Sequence, residues 1–164
     1  MTTKANLVFD SCGSIESPIG AVSVYERGGK VVFLEMGGHG APNDKHSEAV
    51  AEALGQLGEY FAGERREFTV PVQLDGTEFQ RQVWQQIEQI PFGQTVSYAQ
   101  IAAALGKPKA SRAVGGAVGS NPVALIVGCH RVMGASGRIT GYSGGDGIPT
   151  KRWLLAHESI SSAD

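Results

Sequence analysis

Residues 97–119 read SYAQIAAALGKPKASRAVGGAVG and contain the clearest structural signal in the chain. Ser97 followed three residues later by Gln100 is typical of a helix N-terminus, and apolar residues then recur at helical spacing. Gly, Lys and Pro at 106–108 end that helix, and a second helix is predicted over 110–119. Two short helices joined by a tight turn have the outline of a helix-turn-helix. Many DNA-binding proteins use this outline, and ordinary helix packing also produces it, so the spacing leaves both alternatives open.

The second of these helices carries very few polar side chains. Arg112 is the one long polar residue in RAVGGAVG, residues 112–119. Proteins that read the major groove need several Arg, Asn, Gln or Glu side chains, whereas a bare helix can approach the minor groove, which is about 6 Å wide. The composition therefore predicts weak sequence preference if this helix binds DNA. Arg112 could then enter the base stack where an extruded nucleotide has left, and the alternative is an arginine on a solvated helix face.

A second informative stretch is GCHRVM, residues 128–133, which follows the apolar run 122–127. We expect this run to be a buried strand that delivers Cys129 and His130 into a loop rich in Gly and Ser. A thiol with its ordinary pKa of about 8.5 is mostly protonated at neutral pH, so a reactive cysteine needs a base beside it. The pair is therefore typical of thiolate chemistry.

The first half of the chain predicts a small sheet and one helix. Turn residues at 17–20 and 27–30 separate apolar stretches in a pattern typical of a β-hairpin, and a helical stripe runs from Ser47 to Gly63. Thr77 with Gln80 then opens a further helix after a boundary near residue 75. The expected fold class is α/β, more narrowly α+β. A small N-terminal α/β domain over 1–75 is followed by a mainly helical, winged-helix-like domain over 76–164 that contains the helix-turn-helix.

Length and composition exclude several classes of protein. The 164 residues are 41% hydrophobic, which is ordinary for a globular protein that can bury a core. Cys12 and Cys129 are the two cysteines and have no CxxC spacing, so neither a disulfide framework nor a zinc site is supported. His39 and His46 lie in a polar loop, and we expect no metal there. No apolar run approaches membrane-spanning length and no signal peptide is evident, so a cytoplasmic protein is expected.

Charge is distributed unevenly, although the formal net charge is only -2. Residues 1–75 carry 6 Lys or Arg against 11 Asp or Glu, whereas residues 76–164 carry 8 against 5. The second half is therefore the better candidate for contact with a polyanion, although charge of this size does not by itself identify nucleic acid.

Taken together, the motifs of the chain resemble those of the O6-alkylguanine-DNA alkyltransferases, also called methylated-DNA–protein-cysteine methyltransferases. The resemblance covers residues 76–158 densely and in order, and it is carried by these stretches: GTEFQ at 76–80, SY at 97–98, SRAVG at 111–115, NP at 121–122, CHRV at 129–132, GYSGG at 141–145 and LLAHE at 154–158. The SPIG hairpin and the helix before Gly63 resemble the less distinctive N-terminal domain.

The resemblance implies direct-reversal DNA repair by a single-turnover enzyme. It implies binding of double-stranded DNA through the minor groove, flipping of an O6-alkylguanine, and irreversible, stoichiometric transfer of a methyl or other alkyl group to Cys129. O4-alkylthymine stays open as a second substrate. No cofactor or membrane is implied, and a monomer is expected.

The resemblance also implies a role for each matching residue. Cys129 would accept the alkyl group, His130 would act as base through a water, Glu158 would orient His130, and Asn121 would brace the turn before the cysteine. Residues implied to contact the flipped base are Tyr98 (donor to N3), the Cys129 and Val132 carbonyls (acceptors from the exocyclic amine), and the loop of Tyr142 and Ser143, with the Ser143 N–H facing O6. Residues implied to contact DNA are Arg112, Ala113, Gly115 and Gly116. Taken singly, Tyr98 and Tyr142 could instead be core aromatics, Asn121 a helix-ending residue, and Glu158 surface charge.

The sequence departs from the family at two places. Gly128 stands where the family usually has Pro, which predicts a looser cysteine loop. The segment 146–150 is slightly longer than in some members and could change the range of alkyl groups accepted. Three alternatives to the repair enzyme stay open: a binding-only relative, against which Cys129 argues, a helix-turn-helix regulator, and a cysteine hydrolase.

Overall fold

The computed structural model describes residues 4–41 and 46–162. The contacts divide the chain into two compact units. The first contains the residues up to Asp75 together with Pro122–Ile126, and the second contains Gly76–Asn121 and Val127 onward.

The first unit is a three-stranded antiparallel sheet with one helix packed on it. After a 3-10 turn at Lys4–Asn6, strands β1 (Ser11–Ser17), β2 (Gly20–Arg27) and β3 (Lys30–Met36) follow in that order across the sheet, and helix α1 covers Glu48–Phe61. The predicted hairpin is confirmed as β2 and β3. Strand β1 was not predicted, because its sequence SCGSIES lacks a run of apolar residues. The Ser47 hydroxyl accepts from the Val50 N–H at 3.2 Å, as expected for an N-cap.

The apolar run at 122–127 is not a strand, so that prediction was wrong. Val123, Leu125 and Val127 are buried as expected, but Leu125 has a φ of +75°, which an extended strand does not allow. The backbone instead forms local turns, in which the Ile126 N–H donates to the Ala124 carbonyl at 3.0 Å. The Leu34 N–H donates to the Pro122 carbonyl at 2.9 Å within the first unit. Burial of the run is therefore achieved without a strand ladder.

The second unit is mainly helical. It contains α2 (Glu78–Glu88), α3 (Tyr98–Ala104), α4 (Ser111–Gly119) and α5 (Ile148–His157), with 3-10 turns at Cys129–Arg131 and Ala135–Gly137. Two short strands, β4 (Val96–Ser97) and β5 (Val132–Met133), pair in parallel. Helix α5 was not predicted from the sequence.

Local signals in the sequence explain where the helices of the second unit begin. Thr77 with Gln80 opens α2, and Ser97 with Gln100 opens α3, each as a complete capping box. Helix α4 packs against both α2 and α3, and the Trp84 indole N–H donates to the Ala117 carbonyl at 2.8 Å. The predicted α+β fold with a helix-turn-helix is thus confirmed. In the part of the chain that the structure describes, none of the helices combines the length and the apolar character needed to cross a bilayer.

Candidate active site

A cleft of about 710 Å³ opens on the second unit, a size ordinary for a small-molecule or nucleobase site. Residues of α3 and α4 form part of its wall, and Cys129 also lines it. Six of the residues singled out from the sequence line it: Tyr98, Arg112, Gly115, Cys129, Tyr142 and Ser143. The other six do not: Ala113, Gly116, Asn121, His130, Val132 and Glu158.

Cys129 lies in the 3-10 turn and is only 4% exposed. Its N–H donates to the Val127 carbonyl at 2.8 Å, which fixes the start of the turn. Burial raises the pKa of the Cys129 thiol, because a thiolate is poorly solvated there. Hydrogen bonds from the side chains of Asn121 and Tyr142 and the nearby charge of Lys151 act in the opposite direction on this pKa. The resting thiol is therefore protonated and needs a base.

His130 supplies an imidazole that is completely buried. Its Nε2 lies 2.5 Å from Oε2 of Glu158. A carboxylate only accepts hydrogen bonds, so Nε2 carries the hydrogen and Nδ1 carries the lone pair. Nδ1 is buried and has no hydrogen-bond partner among the described residues. Burial lowers the pKa of His130 although Glu158 raises it, so the ring is neutral at neutral pH and Nδ1 is available as a base.

Glu158 is held by more groups than the sequence suggested. Arg131 donates to it through Nε at 2.8 Å and through Nη2 at 3.1 Å, and the Gly93 N–H donates at 3.1 Å. Nη1 of Arg131 donates to the Ile90 carbonyl at 2.9 Å. Arg131 is a functional candidate that the sequence reasoning missed, and its position in the CHRV stretch was the signal that could have indicated it. The clamp fixes Glu158, and Glu158 in turn fixes the His130 ring.

Asn121 lies between helix α4 and the cysteine turn. Its Nδ2 donates to the Val127 carbonyl at 2.9 Å, and its side chain also hydrogen-bonds to the Cys129 thiol. The side chain therefore ties the end of the helix to the turn. This geometry agrees with the bracing role that the resemblance implies.

The walls of the cleft are aromatic and polar. Thr140 lies with its hydroxyl 3.4 Å from the Tyr98 hydroxyl, and both residues line the cleft. The Ser143 hydroxyl donates to the Gly119 carbonyl at 2.9 Å, which joins the Tyr142–Ser143 loop to the end of α4. A flat base between Tyr98 and this loop would have polar groups at its edges.

Val132 and Lys151 meet at the back of the cleft. Val132 is fully buried, and its carbonyl accepts from Nζ of Lys151 at 2.6 Å. Lys151 itself lines the cleft and is the second functional candidate that the sequence reasoning missed. The available signal was helical spacing, because Lys151 stands three and four residues before the buried Leu154 and Leu155.

The four DNA-binding candidates lie on α4, three of them on its outer side. Arg112, Ala113 and Gly116 are exposed, and a Cβ built on Gly116 would meet nothing within 4 Å. Gly115 faces inward, because a Cβ there would lie 3.9 Å from the Tyr98 ring. The backbone of α4 is therefore open to a partner along its outer side. Over residues 4–41 and 46–162, no three His, Cys, Asp or Glu side chains group as metal ligands would.

Comparison with known proteins assigns the family. Residues 11–74 match the model of the ribonuclease-like domain of 6-O-methylguanine DNA methyltransferase, and residues 78–160 match the model of its DNA-binding domain. The chain belongs to the 6-O-methylguanine DNA methyltransferase family. Among its relatives, the methylated-DNA–protein-cysteine methyltransferase of Mycolicibacterium paratuberculosis is 45% identical over 150 residues, covering 88% of this chain and 90% of the relative. The constitutive enzyme of Bacillus subtilis is 43% identical over 155 residues, covering 89% and 93%.

Solved structures of this methyltransferase family agree with the fold. The crystal structure of Mycobacterium tuberculosis OGT in complex with DNA has a TM-score of 0.79 at 46% identity, covering 92% of this chain and 94% of that chain. The Mycobacterium tuberculosis O6-methylguanine methyltransferase has a TM-score of 0.78 at 45% identity, with the same coverage. The resemblance inferred from the motifs is confirmed.

Gly128 stands at the position where the resemblance leads us to expect a proline. Its φ is −72°, within the range that proline fixes, so glycine is not needed here for a left-handed conformation. A Cβ at this position would lie 3.1 Å from Nη1 of Arg131 and 3.2 Å from Cζ. Gly128 thus leaves room for the Arg131 side chain that holds Glu158.

Proposed function

We propose that this protein repairs alkylated DNA by moving the alkyl group from O6 of a flipped guanine onto Cys129, once per molecule. Membership of the methyltransferase family supports this function. The single observation that carries it is the Cys129 thiol in the wall of an open cleft, backed by the buried His130 and Glu158 pair. A cysteine hydrolase would use similar logic, but it would not need the bare outer surface of α4.

The first step of the proposed reaction is removal of the thiol proton. The lone pair on Nδ1 of His130 takes this proton through one water, and Nε2 keeps its hydrogen bond to Glu158. A positive imidazolium is then stabilised by the adjacent carboxylate. The thiolate that remains is the soft nucleophile that an alkyl carbon requires.

The second step is an in-line displacement at the alkyl carbon. A lone pair of the Cys129 sulfur forms the new S–C bond while the C–O6 bond breaks, and the electron pair of that bond stays on O6. The guanine takes up one proton at N1 and becomes ordinary guanine, and the imidazolium of His130 gives up the proton it received from the thiol. The net change is the transfer of the alkyl group from O6 to sulfur and of one proton from sulfur to the base, which leaves a neutral thioether. Nothing in the site reverses this bond, so the protein is consumed.

The cleft walls fit the roles proposed for base recognition. The Tyr98 hydroxyl, oriented by Thr140, donates to N3 of the base. The loop of Tyr142 and Ser143 covers the base, and the Ser143 N–H faces the developing negative charge on O6. Carbonyls of the Cys129 turn accept from the exocyclic amine, which separates guanine from adenine. Because Val132 does not line the cleft, we assign the larger part of this contact to Cys129.

The outer surface of α4 is the proposed contact with duplex DNA. Ala113 and Gly116 allow the helix backbone to approach the minor groove, and Arg112 fills the position vacated by the flipped base. Phosphate contacts dominate such interfaces, so affinity should fall with salt and depend weakly on sequence. We further propose that the protein acts as a monomer in the cytoplasm, where thiols stay reduced.

A non-catalytic protein that only binds alkylated DNA is the second candidate. It would need the cleft and α4 but not a reactive sulfur. The buried His130–Glu158 pair beside Cys129 argues against it, since a binding protein has no use for an oriented base.

The test is mass spectrometry after incubation with duplex DNA that contains one O6-methylguanine. We expect a gain of one methyl on the Cys129 peptide, with guanine restored in equal amount. Cys129→Ala should gain no methyl and still bind the DNA, and Cys12→Ala is the matched control that should react like the parent protein. Damage-selective binding without a mass change would establish the binding-only candidate instead.

A further inference from the structure

Lys151 has an unusual position for a lysine, because it is only 1% exposed. It lies in the first half of α5 and lines the same cleft as Cys129. Nζ donates to the Val132 carbonyl at 2.6 Å and lies 3.4 Å from the Gly141 carbonyl. Burial of an ammonium is costly unless hydrogen bonds hold it, and these carbonyls fix the place of the charge.

We propose that Lys151 is a positioning residue for alkyl transfer, whose buried ammonium stabilises the Cys129 thiolate before it attacks. The inference rests on the proposed function for its biological meaning, but its physical content concerns only the thiol. Lys151 forms no covalent bond in the reaction. Its contribution is a positive charge that the Val132 carbonyl holds in the cleft lined by Cys129.

Asn121 and Tyr142 act on the Cys129 thiol through hydrogen bonds, and Lys151 acts on it through its charge. His130 is neutral before the reaction, and Arg112, which also lines the cleft, is exposed, so solvent screens its charge. Behind the imidazole, the charge of Arg131 is balanced by the bidentate contact with Glu158. The charge of Lys151 lowers the pKa of Cys129 against the effect of burial, and it also opposes a proton on His130. The charge of Lys151 therefore favours the thiolate, and Glu158 is the group that favours the positive imidazolium.

Hydrogen bonding alone would be a different role. If Lys151 only held the Val132 carbonyl, its removal would disturb the shape of the cleft and leave the titration of the thiol unchanged. The pH dependence of thiol reactivity therefore separates an electrostatic role from a structural one.

The experiment uses iodoacetamide, which alkylates thiolates without DNA, followed by peptide mass spectrometry across pH. Cys12 lies in the first unit and provides an internal reference in every sample. Lys151→Met keeps the length of the side chain and removes its charge. The matched control is Arg152→Met, because Arg152 is the neighbouring cation on α5 and is exposed.

We expect Lys151→Met to raise the pH midpoint for Cys129 by about one unit, which is a tenfold slower reaction at pH 7. The midpoint for Cys12 should not move, and Arg152→Met should behave like the parent protein. An unchanged Cys129 midpoint in folded Lys151→Met would overturn the proposal. If that variant does not fold, Lys151→Gln carries the same test, because its amide still donates a hydrogen bond.

The design separates this inference from the proposed function. If the Cys129 midpoint shifts in Lys151→Met but the parent protein takes no methyl from DNA, the repair function is refuted and the electrostatic role of Lys151 stands. If the parent protein transfers the methyl to Cys129 but the midpoint does not shift in Lys151→Met, only the role proposed for Lys151 is refuted. With methylated DNA as substrate, Lys151→Met should transfer about tenfold more slowly at pH 7 with unchanged DNA affinity.

Discussion

Replacement of Arg131 by Met should separate two roles of the buried Arg131–Glu158 ion pair, its contribution to stability and its part in the reaction. The variant removes the guanidinium that donates to both oxygens of Glu158, at 2.8 and 3.1 Å. Glu158 has a fully buried side chain, and Arg131 is 9% exposed, so solvent screens this pair very little. Removing one partner of a buried ion pair typically costs about 3–5 kcal/mol of unfolding free energy, and Met fills much of the space.

The assay is thermal and chemical unfolding, with the exposed Arg138→Met as the matched control. A loss of about 3–5 kcal/mol corresponds to a decrease in Tm of roughly 6–20 °C for a protein of this size. Arg138→Met should change the free energy of unfolding by less than about 0.5 kcal/mol. An Arg131→Met protein as stable as the parent would show that the clamp does not hold Glu158 as described.

The double variant Arg131→Met with Glu158→Met then tests what the clamp is for. Replacing a whole buried ion pair by apolar residues is often neutral for stability, so this variant should recover most of the lost stability. Methyl transfer should stay slow, because His130 has lost the acceptor that orients its ring. Recovery of both stability and transfer rate would mean that Glu158 serves the fold and not the reaction.

Three further predictions concern the cysteine turn, the buried imidazole and the DNA-binding helix. Gly128→Pro should raise the Tm above that of Gly128→Ala by a few degrees, because φ is already −72° and proline restricts the unfolded chain. Both variants add the Cβ that meets Arg131, so an equal or lower Tm for Gly128→Pro would show that the proline ring does not fit the turn. Burial lowers the pKa of His130 below 6.5, so near this pH the unfolded state binds more protons than the folded state. The free energy of unfolding should therefore fall as the pH drops below about 6.5. His130→Asn should reduce this pH dependence in unfolding measurements. Gly116→Ala should stabilise α4 by about 0.5–1 kcal/mol and should weaken DNA binding measured by fluorescence anisotropy. Gly58→Ala in α1, where a Cβ has equal space, should give a similar gain in stability and leave DNA binding unchanged.

The helix boundaries of the second unit were predictable because their signals are local. Thr77 with Gln80 and Ser97 with Gln100 are each three residues apart, and each forms its capping box irrespective of distant parts of the chain. The Cys129 and His130 pair was equally visible as neighbours in the sequence. The resemblance added Glu158, which pairs with His130 from 28 residues away and which spacing alone could not have identified.

The features that escaped prediction depend on tertiary contacts. The apolar run before the cysteine turn satisfies its backbone through local turns, and the positive φ of Leu125 has no signal in composition. Lys151 was not singled out from the sequence, because burial of its ammonium depends on the carbonyls of Val132 and Gly141, which lie elsewhere in the chain. Arg131 was hidden for the same reason, since its acceptors are on Ile90 and Glu158.

The charges around the cleft are arranged to suit one event, the movement of a proton from sulfur to imidazole. That step creates a negative sulfur and a positive ring from two neutral groups. Lys151 lies near the end that becomes negative, and Glu158 lies 2.5 Å from the ring that becomes positive. Each end of the new dipole therefore meets a fixed opposite charge that needs no reorganisation. Arg131 donates to both oxygens of Glu158, including the one that contacts the ring, so the carboxylate is held in place before the proton moves. Alkylation turns the negative sulfur into an uncharged thioether. The charge of Lys151 therefore favours the thiolate before the transfer and has no opposite charge on the sulfur after it.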